Sequence, residues 1–356
     1  MKASISEPGA GGRRRLLRIV AIGGGTGLSA LLHGLKRYAP RLPGGDHAPG
    51  RRQGPAVDIT AVVTVTDDGG SSGRLRREFS VLPPGDIRNC MVALSEDEAL
   101  LSRLFQYRFA RGRGLKGHSF GNLFLTALTH VTSDFPQAVK VSSDVLAIAG
   151  RIFPSTAHNV ALEATLQDGT RVEGESRISR SPCRIERVAL RPPRCPPLPE
   201  TLEAIAQADL ITLGPGSLFT SVIPNLLVEG IPQAIRRSPA VKAYFVNLMW
   251  QPGETTHFSA ADHVEAILRH AGRNLLDYVV VNSRPVSEAV RARYARHRAQ
   301  PVEADLERLR KLGVRVLFRD LLEEGEKVRH APEATARVAL ELAQEGRRAR
   351  RARARG

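Results

Sequence analysis

Apolar positions along the chain fall into two alternating textures. Residues 19–22, 57–65, 210–213, 241–248 and 278–281 are apolar almost without interruption, as strands covered on both faces must be. Between them the apolar residues recur every three or four positions. Leu28, Leu31, Leu32 and Leu35 do so within 28–38, and further helical stretches are predicted over 98–108, 138–152, 200–207 and 261–271. Residues 301–344 close the series as helix, short strand and helix. This succession of strand-then-helix units predicts an α/β fold, a Rossmann-like doubly wound and mostly parallel sheet. The texture changes over 160–191, where charge-speckled strands flank Asp168-Gly169, a pair favoured in tight hairpin turns. That stretch predicts a small antiparallel excursion on one sheet edge, structural in role.

Two strand ends carry glycine turns. The strand at 19–22 runs into Gly23-Gly24-Gly25-Thr26-Gly27, and the strand at 210–213 into Gly214-Pro215-Gly216-Ser217. Strand, glycine turn, helix is the order that points unpaired backbone N–H groups and the positive end of a helix dipole at an anion. Gly24, Gly25, Thr26, Gly27, Gly214, Gly216 and Ser217 are therefore candidates to hold a diphosphate, provided the two turns meet on one rim. No Gly-Lys-Ser/Thr follows the first turn, so it is not a Walker loop. Leu28 stands where a dinucleotide fingerprint has its third glycine. An NAD-dependent oxidoreductase also calls for an acid ~20 residues after the glycines. None is there, unless the insertion at 39–56 displaces it to Asp67.

Other polar residues gather at strand ends and helix entries. Asp67 and Asp68 end the strand at 57–65, where open α/β sheets place ligands; they suit a ribose or sugar hydroxyl, or a divalent cation. Capping of the following helix is the alternative. In Pro83-Pro84-Gly85-Asp86-Ile87-Arg88-Asn89, Asp86 reads as a helix cap, with Arg88 and Asn89 placed to reach an anion or a base. His118 and Asn122 lie in a glycine-rich helix entry. Asn247, Gln251 and Asn282 follow strands, where amides serve either a nucleobase or a turn.

Length and charge refine this picture. The 356 residues accommodate one large domain over 18–345, with a flexible insertion at 39–56, between a disordered basic N-terminal tail (1–17) and an arginine-rich C-terminal tail (346–356). Those tails and the insertion hold most of the formal charge of +16, so the basicity reads as solvated ends. Salt-dependent attachment of the last tail to nucleic acid is the other reading. No apolar run approaches the ~20 residues of a membrane span, and no apolar segment precedes Arg13, so neither a span nor a signal peptide is expected. The 3 cysteines are widely spaced, which points to a reducing compartment, the cytoplasm, and no disulfide framework.

Taken together, Gly23-Gly24-Gly25-Thr26-Gly27, Thr66-Asp67-Asp68-Gly69-Gly70-Ser71-Ser72-Gly73, Pro83 to Asn89, His118-Ser119-Phe120-Gly121-Asn122, Gly214-Pro215-Gly216-Ser217 and Asn247-Leu248-Met249 resemble the bacterial gluconeogenesis factors. These form part of the CofD-like superfamily, named for 2-phospho-L-lactate transferase. The resemblance spans about Arg18 to Arg329. It implies a Rossmann-like fold, a cytoplasmic location, binding of a nucleotide-sugar such as UDP-N-acetylglucosamine, and a role in cell shape and envelope synthesis during gluconeogenic growth. In the transferase branch the paired acids help hold a metal and a phosphorylated substrate. This chain departs from it at Pro84-Gly85-Asp86-Ile87-Arg88, where an arginine replaces an acid. The reading adopted is a sugar-nucleotide-binding regulatory protein that requires no cofactor, with Mg²⁺ at Asp67 and Asp68 left open. A metal-dependent phospholactyl or phosphoryl transferase is the alternative. The expected partners are a UDP-sugar and an envelope or regulatory protein, with a homo-oligomer left open.

Overall fold

The computed structural model describes residues 16–40, 55–95, 100–181 and 183–353. The tail up to residue 15, the insertion over 41–54 and residues 354–356 lie outside them. β1 (Leu17–Gly23) leads into α1 (Gly25–Leu35). β2 (Val57–Val63) leads into α2 (Gly70–Phe79), α3 (Gly85–Leu94), α4 (Leu100–Gln106), α5 (Phe120–Thr132) and α6 (Phe135–Val145). Then come β3 (Arg151–Pro154), β4 (Ala161–Leu166), β5 (Arg171–Glu173), the single turn α7 (Glu175–Ile178) and β6 (Ile185–Arg191). The second half runs α8 (Pro199–Gln207), β7 (Leu210–Leu213), α9 (Ile223–Leu226), α10 (Ile231–Arg237), β8 (Val241–Phe245) and α11 (Ala260–Ala271). It ends with β9 (Tyr278–Asn282), α12 (Glu288–Ala295), α13 (Leu306–Lys311), β10 (Arg315–Arg319), the short β11 (Leu322–Glu323) and β12 (Arg329–His330), and α14 (Pro332–Arg353).

Seven strands form one sheet in the order β3-β2-β1-β7-β8-β9-β10, and every pair is parallel. The chain thus moves outward from β1 to one edge, returns to the other side of β1, and moves outward again. This is the doubly wound order, and its reversal lies between β1 and β7, where such sheets open a ligand crevice. Ile19, Ala21, Ile22 and all of β7 are buried on both faces. α1 covers one face with Leu28, Leu31, Leu32 and Leu35, all fully buried at helical spacing. The three cysteines are unpaired. No single helix among the described residues is long and apolar enough to cross a membrane.

Three expectations need correction. The apolar run at 138–152 is not one helix: α6 stops at Val145, Ala147 takes a φ of 47°, and Arg151–Pro154 pairs with β2 as an edge strand. Both pieces bury apolar side chains, so periodicity alone did not separate them. The excursion at 160–191 is small and antiparallel as expected, but it forms a sheet of its own in the order β5-β4-β6, with the helical turn α7 between β5 and β6. The arginine-rich end, finally, is no loose tail as far as Arg353. α14 carries straight through it, because Asp209, whose side chain is 0% exposed, accepts from Arg347 at 2.6 Å and pairs with Arg350 at 2.9 Å.

Arg18 N–H also donates to Asp209, at 2.9 Å, so the carboxylate ties the start of β1 to the end of α14. Ending the chain after Gly346 would leave that N–H alone against a buried charge. Urea unfolding of the shortened chain is expected to show a loss of about 3 kcal/mol. A loss within error would mean that this helix end contributes nothing to the fold.

Candidate functional site

The two glycine turns meet. Both leave the C-terminal edge of the sheet at its reversal, and Gly214 N–H donates to the Ile22 carbonyl, holding the second turn beside the first. A Cβ on Gly27 would stand 2.6 Å from the Pro215 carbonyl oxygen, and one on Gly216 3.1 Å from that of Gly24. Backbone packs against backbone here, which is why only glycine serves. After Ser217 the chain makes a π turn, Leu218–Val222, before α9, so the second turn lacks the long helix dipole of the first. α1 begins at Gly25 with no acid in its first turn and no side-chain cap on Gly24.

Beside the turns lies a cleft of about 250 Å³. Gly24, Gly25, Thr26, Gly27, Gly216, Ser217 and Asn247 all line it. Gln251 Nε2 donates to Ser217 Oγ at 2.8 Å, and Asn247 Nδ2 donates to Gln251 Oε1 at 2.9 Å, so the amides form a chain across the wall. Trp250, Tyr294, Arg329 and His330 complete the enclosure. Burial lowers the His330 pKa to about 4, so the ring is neutral, and among the described residues Arg329 is the one charged side chain in the lining. Among the described residues no carboxylate lines the cleft.

A second group of the expected residues sits behind the first turn. Burial pushes the Asp86 carboxyl up to about 7, helped by neighbouring Asp67 and opposed by hydrogen bonds from Gly25 N–H and Asn89. Asp86 therefore does not cap α3, whose N-cap is Pro84; it lies in the first turn of that helix and points beneath Gly24 and Gly25. Asp67 accepts from Gly69 N–H at 2.8 Å and is raised by burial. Arg88 Nη2 donates to Asn89 at 2.6 Å. Ser71 Oγ and His118 Nδ1 are 2.9 Å apart, and burial together with Arg74 lowers the pKa of this histidine. Asn122 Nδ2 reaches Ser72 Oγ at 3.5 Å. Asp68 accepts from Ser176 N–H of α7 at 2.8 Å, which draws the separate sheet into the site, and α7 adds Glu175, a carboxyl held well above its usual range by burial and by Asp86.

Asp67 and Asp68, the candidates for a divalent cation, are both engaged by the backbone. Each gives an oxygen to a backbone N–H, and among the described residues no three histidine, cysteine, aspartate or glutamate side chains group to hold a metal. Asn282 is not at the cleft: its Oδ1 accepts from Arg284 and Leu321 N–H and its Nδ2 donates to the Arg284 carbonyl, so it serves a turn. Gly214 does not line the cleft either, and ties the second turn to β1 through its N–H.

A family model described as 2-phospho-L-lactate transferase CofD matches residues 19–322. The chain belongs to the CofD family. Among its members it is similar to the gluconeogenesis factor of Bacillus subtilis, 45% identical over 92% of this chain and 98% of that protein. The gluconeogenesis factor of Halalkalibacterium halodurans is 46% identical over 91% and 95%. A crystal structure of a Bacillus halodurans protein superposes with a TM-score of 0.85 at 45% identity, covering 92% of this chain and all of that one. No local motif in the sequence marks Glu175, Tyr294, Arg329 or His330. Asp86 was visible only as a cap. Arg329 and His330 lie some three hundred residues from the first turn, and only the fold brings them back to it.

Proposed function

We propose that this CofD-family chain binds a nucleotide-sugar of the UDP-N-acetylglucosamine type and acts as a regulatory protein in cell shape and envelope synthesis during gluconeogenic growth. One observation carries the binding reading: two glycine turns face each other at the sheet reversal over a cleft that, among the described residues, is lined by an arginine and no carboxylate. Main-chain N–H groups of Thr26 and Gly27 and the Arg329 guanidinium suit a diphosphate, which needs no lysine when backbone donors surround it. The Asn247 and Gln251 amides suit the edge of a base, and Trp250 suits its face. The regulatory role rests on the family resemblance.

Trp250 is the single tryptophan of the chain and lines the cleft, so its emission reports on occupancy. Titration with UDP-N-acetylglucosamine is expected to give a saturable emission change and a matching calorimetric isotherm. Arg329→Gln should weaken that ligand roughly tenfold, about the worth of one charge-assisted hydrogen bond, while leaving uridine unaffected. Absence of both signals at millimolar ligand would end this reading. The family model's description favours phosphoryl-group transfer as the rival, and turnover of a nucleotide donor with Mg²⁺, lost in Asp68→Asn, would replace binding alone.

A further inference from the structure

A second concavity, of about 490 Å³, opens between the β4–β5 turn and α7 and shares no lining residue with the cleft. Leu166 and Val172 give it an apolar floor, Thr170, Ser176 and Ser181 give it hydroxyls, and Arg177 and Arg180 give it two positive charges. Arg180 N–H donates to the Arg177 carbonyl, so the two side chains leave one turn, three residues apart. Among the described residues neither guanidinium meets a carboxylate in an ion pair. The lone acid in the lining, Asp168, has its oxygens taken by Thr170 N–H at 2.9 Å and the Cys183 thiol at 3.4 Å. Paired guanidiniums match phosphate oxygens, and the hydroxyls match a polyol.

We infer that this concavity binds the phosphomonoester of a small polyhydroxy metabolite, and that α7 relays its occupancy to the cleft. α7 and the residue after it are bonded on both sides. Ser176 lines the concavity and gives its N–H to Asp68 at 2.8 Å. Ser179 Oγ donates to Glu254 at 3.0 Å, and Thr220 of the π turn donates to the same oxygen at 3.1 Å. Glu254 N–H donates to the Gln251 carbonyl at 2.9 Å, and Gln251 holds Ser217 in the cleft wall. A ligand that clamps Arg177 and Arg180 fixes the turn from which this chain of contacts runs. The site stands apart from the nucleotide-sugar reading; only the consequence of the relay for that ligand rests on it.

Calorimetry of the full chain with glucose 6-phosphate, inorganic phosphate and glucose tests the site. Glucose 6-phosphate is expected to bind, inorganic phosphate more weakly, and glucose not at all. The double variant Arg177→Gln/Arg180→Gln should lose at least tenfold in affinity for the ester while keeping its melting temperature and its UDP-N-acetylglucosamine titration. Saturating ester should also shift Trp250 emission in the unmodified chain and not in the double variant. No heat with the ester, equal affinity in the double variant, or tighter binding of inorganic phosphate would overturn the ester site. Binding without a Trp250 response would overturn the relay. None of the overturning outcomes involves UDP-N-acetylglucosamine, so failure of that ligand to bind does not confound them.

Discussion

Gly27→Ala is expected to abolish the proposed nucleotide-sugar binding and to lower stability by about 2–3 kcal/mol. The new methyl would stand 2.6 Å from the Pro215 carbonyl oxygen, 2.7 Å from its carbon and 2.8 Å from Gly216 N, and all three are backbone atoms that no rotamer change can move. Relief comes only from parting the two turns, which dissolves the wall on which the diphosphate reading depends. Gly25→Ala is the informative companion. Gly25 has a φ of 64°, so alanine there incurs the left-handed cost of about 1–2 kcal/mol, yet its methyl would meet nothing closer than Ser221 Oγ at 3.5 Å. Urea unfolding and calorimetry of both variants separate the effects: strain without separation for Gly25, separation of the turns for Gly27. If Gly27→Ala keeps both the stability and the isotherm of the unmodified chain, the packing of the two turns is irrelevant to binding.

The parts of this architecture that were legible in the sequence are those written in local chemistry. β7 falls on the apolar run Leu210–Leu213, and β1 contains the run 19–22 with Leu17 and the exposed Arg18 added at its start, because the segments buried on both faces are the nearly continuous apolar ones. The glycine turns announced themselves by composition, although composition does not say that they touch. β3 escaped because the buried Leu146, Ile148 and Ile152 carry the apolar pattern of α6 across the turn at Ala147. The far wall of the cleft escaped for a different reason. Arg329 and His330 come from a two-residue strand, and nothing in their neighbourhood marks them as facing Gly24. Charge was legible in amount and misleading in place: six arginines at the chain end read as solvated, yet one buried aspartate turns part of that segment into a packed helix.

Asp86→Asn is expected to stabilise the protein at pH 8 by up to about 4 kcal/mol and at pH 5 by less than half as much. An ordinary aspartate titrates near 3.8, and this one is raised to about 7, chiefly by burial and then by Asp67. Between those values the folded chain keeps a proton that the unfolded chain has released. Stability therefore falls as pH rises from about 4 to 7 and levels off above, by about 4 kcal/mol for a group moved that far. Burial raises Asp67, Glu175 and Glu254 as well, so the unmodified chain slopes in the same direction with or without Asp86, and the comparison between variants isolates its share. Asparagine keeps an oxygen for the Gly25 N–H and carries no charge to bury. Should Asp86→Asn instead prove less stable at pH 8, the Gly25 N–H, Arg88 and Asn89 outweigh desolvation and the carboxylate is ionised in the fold. The same residue couples pH to the ligand. An Asp86 oxygen lies 2.6 Å from where a Cβ on Gly24 would be, directly behind the proposed diphosphate cradle, so an ionised Asp86 repels the anion that the cradle is proposed to hold. UDP-N-acetylglucosamine should accordingly bind more weakly at pH 8 than at pH 6, with proton uptake detectable as a buffer-dependent heat. In Asp86→Asn both the pH dependence and the uptake should shrink, and a diphosphate indifferent to this substitution is not sitting on the first glycine turn.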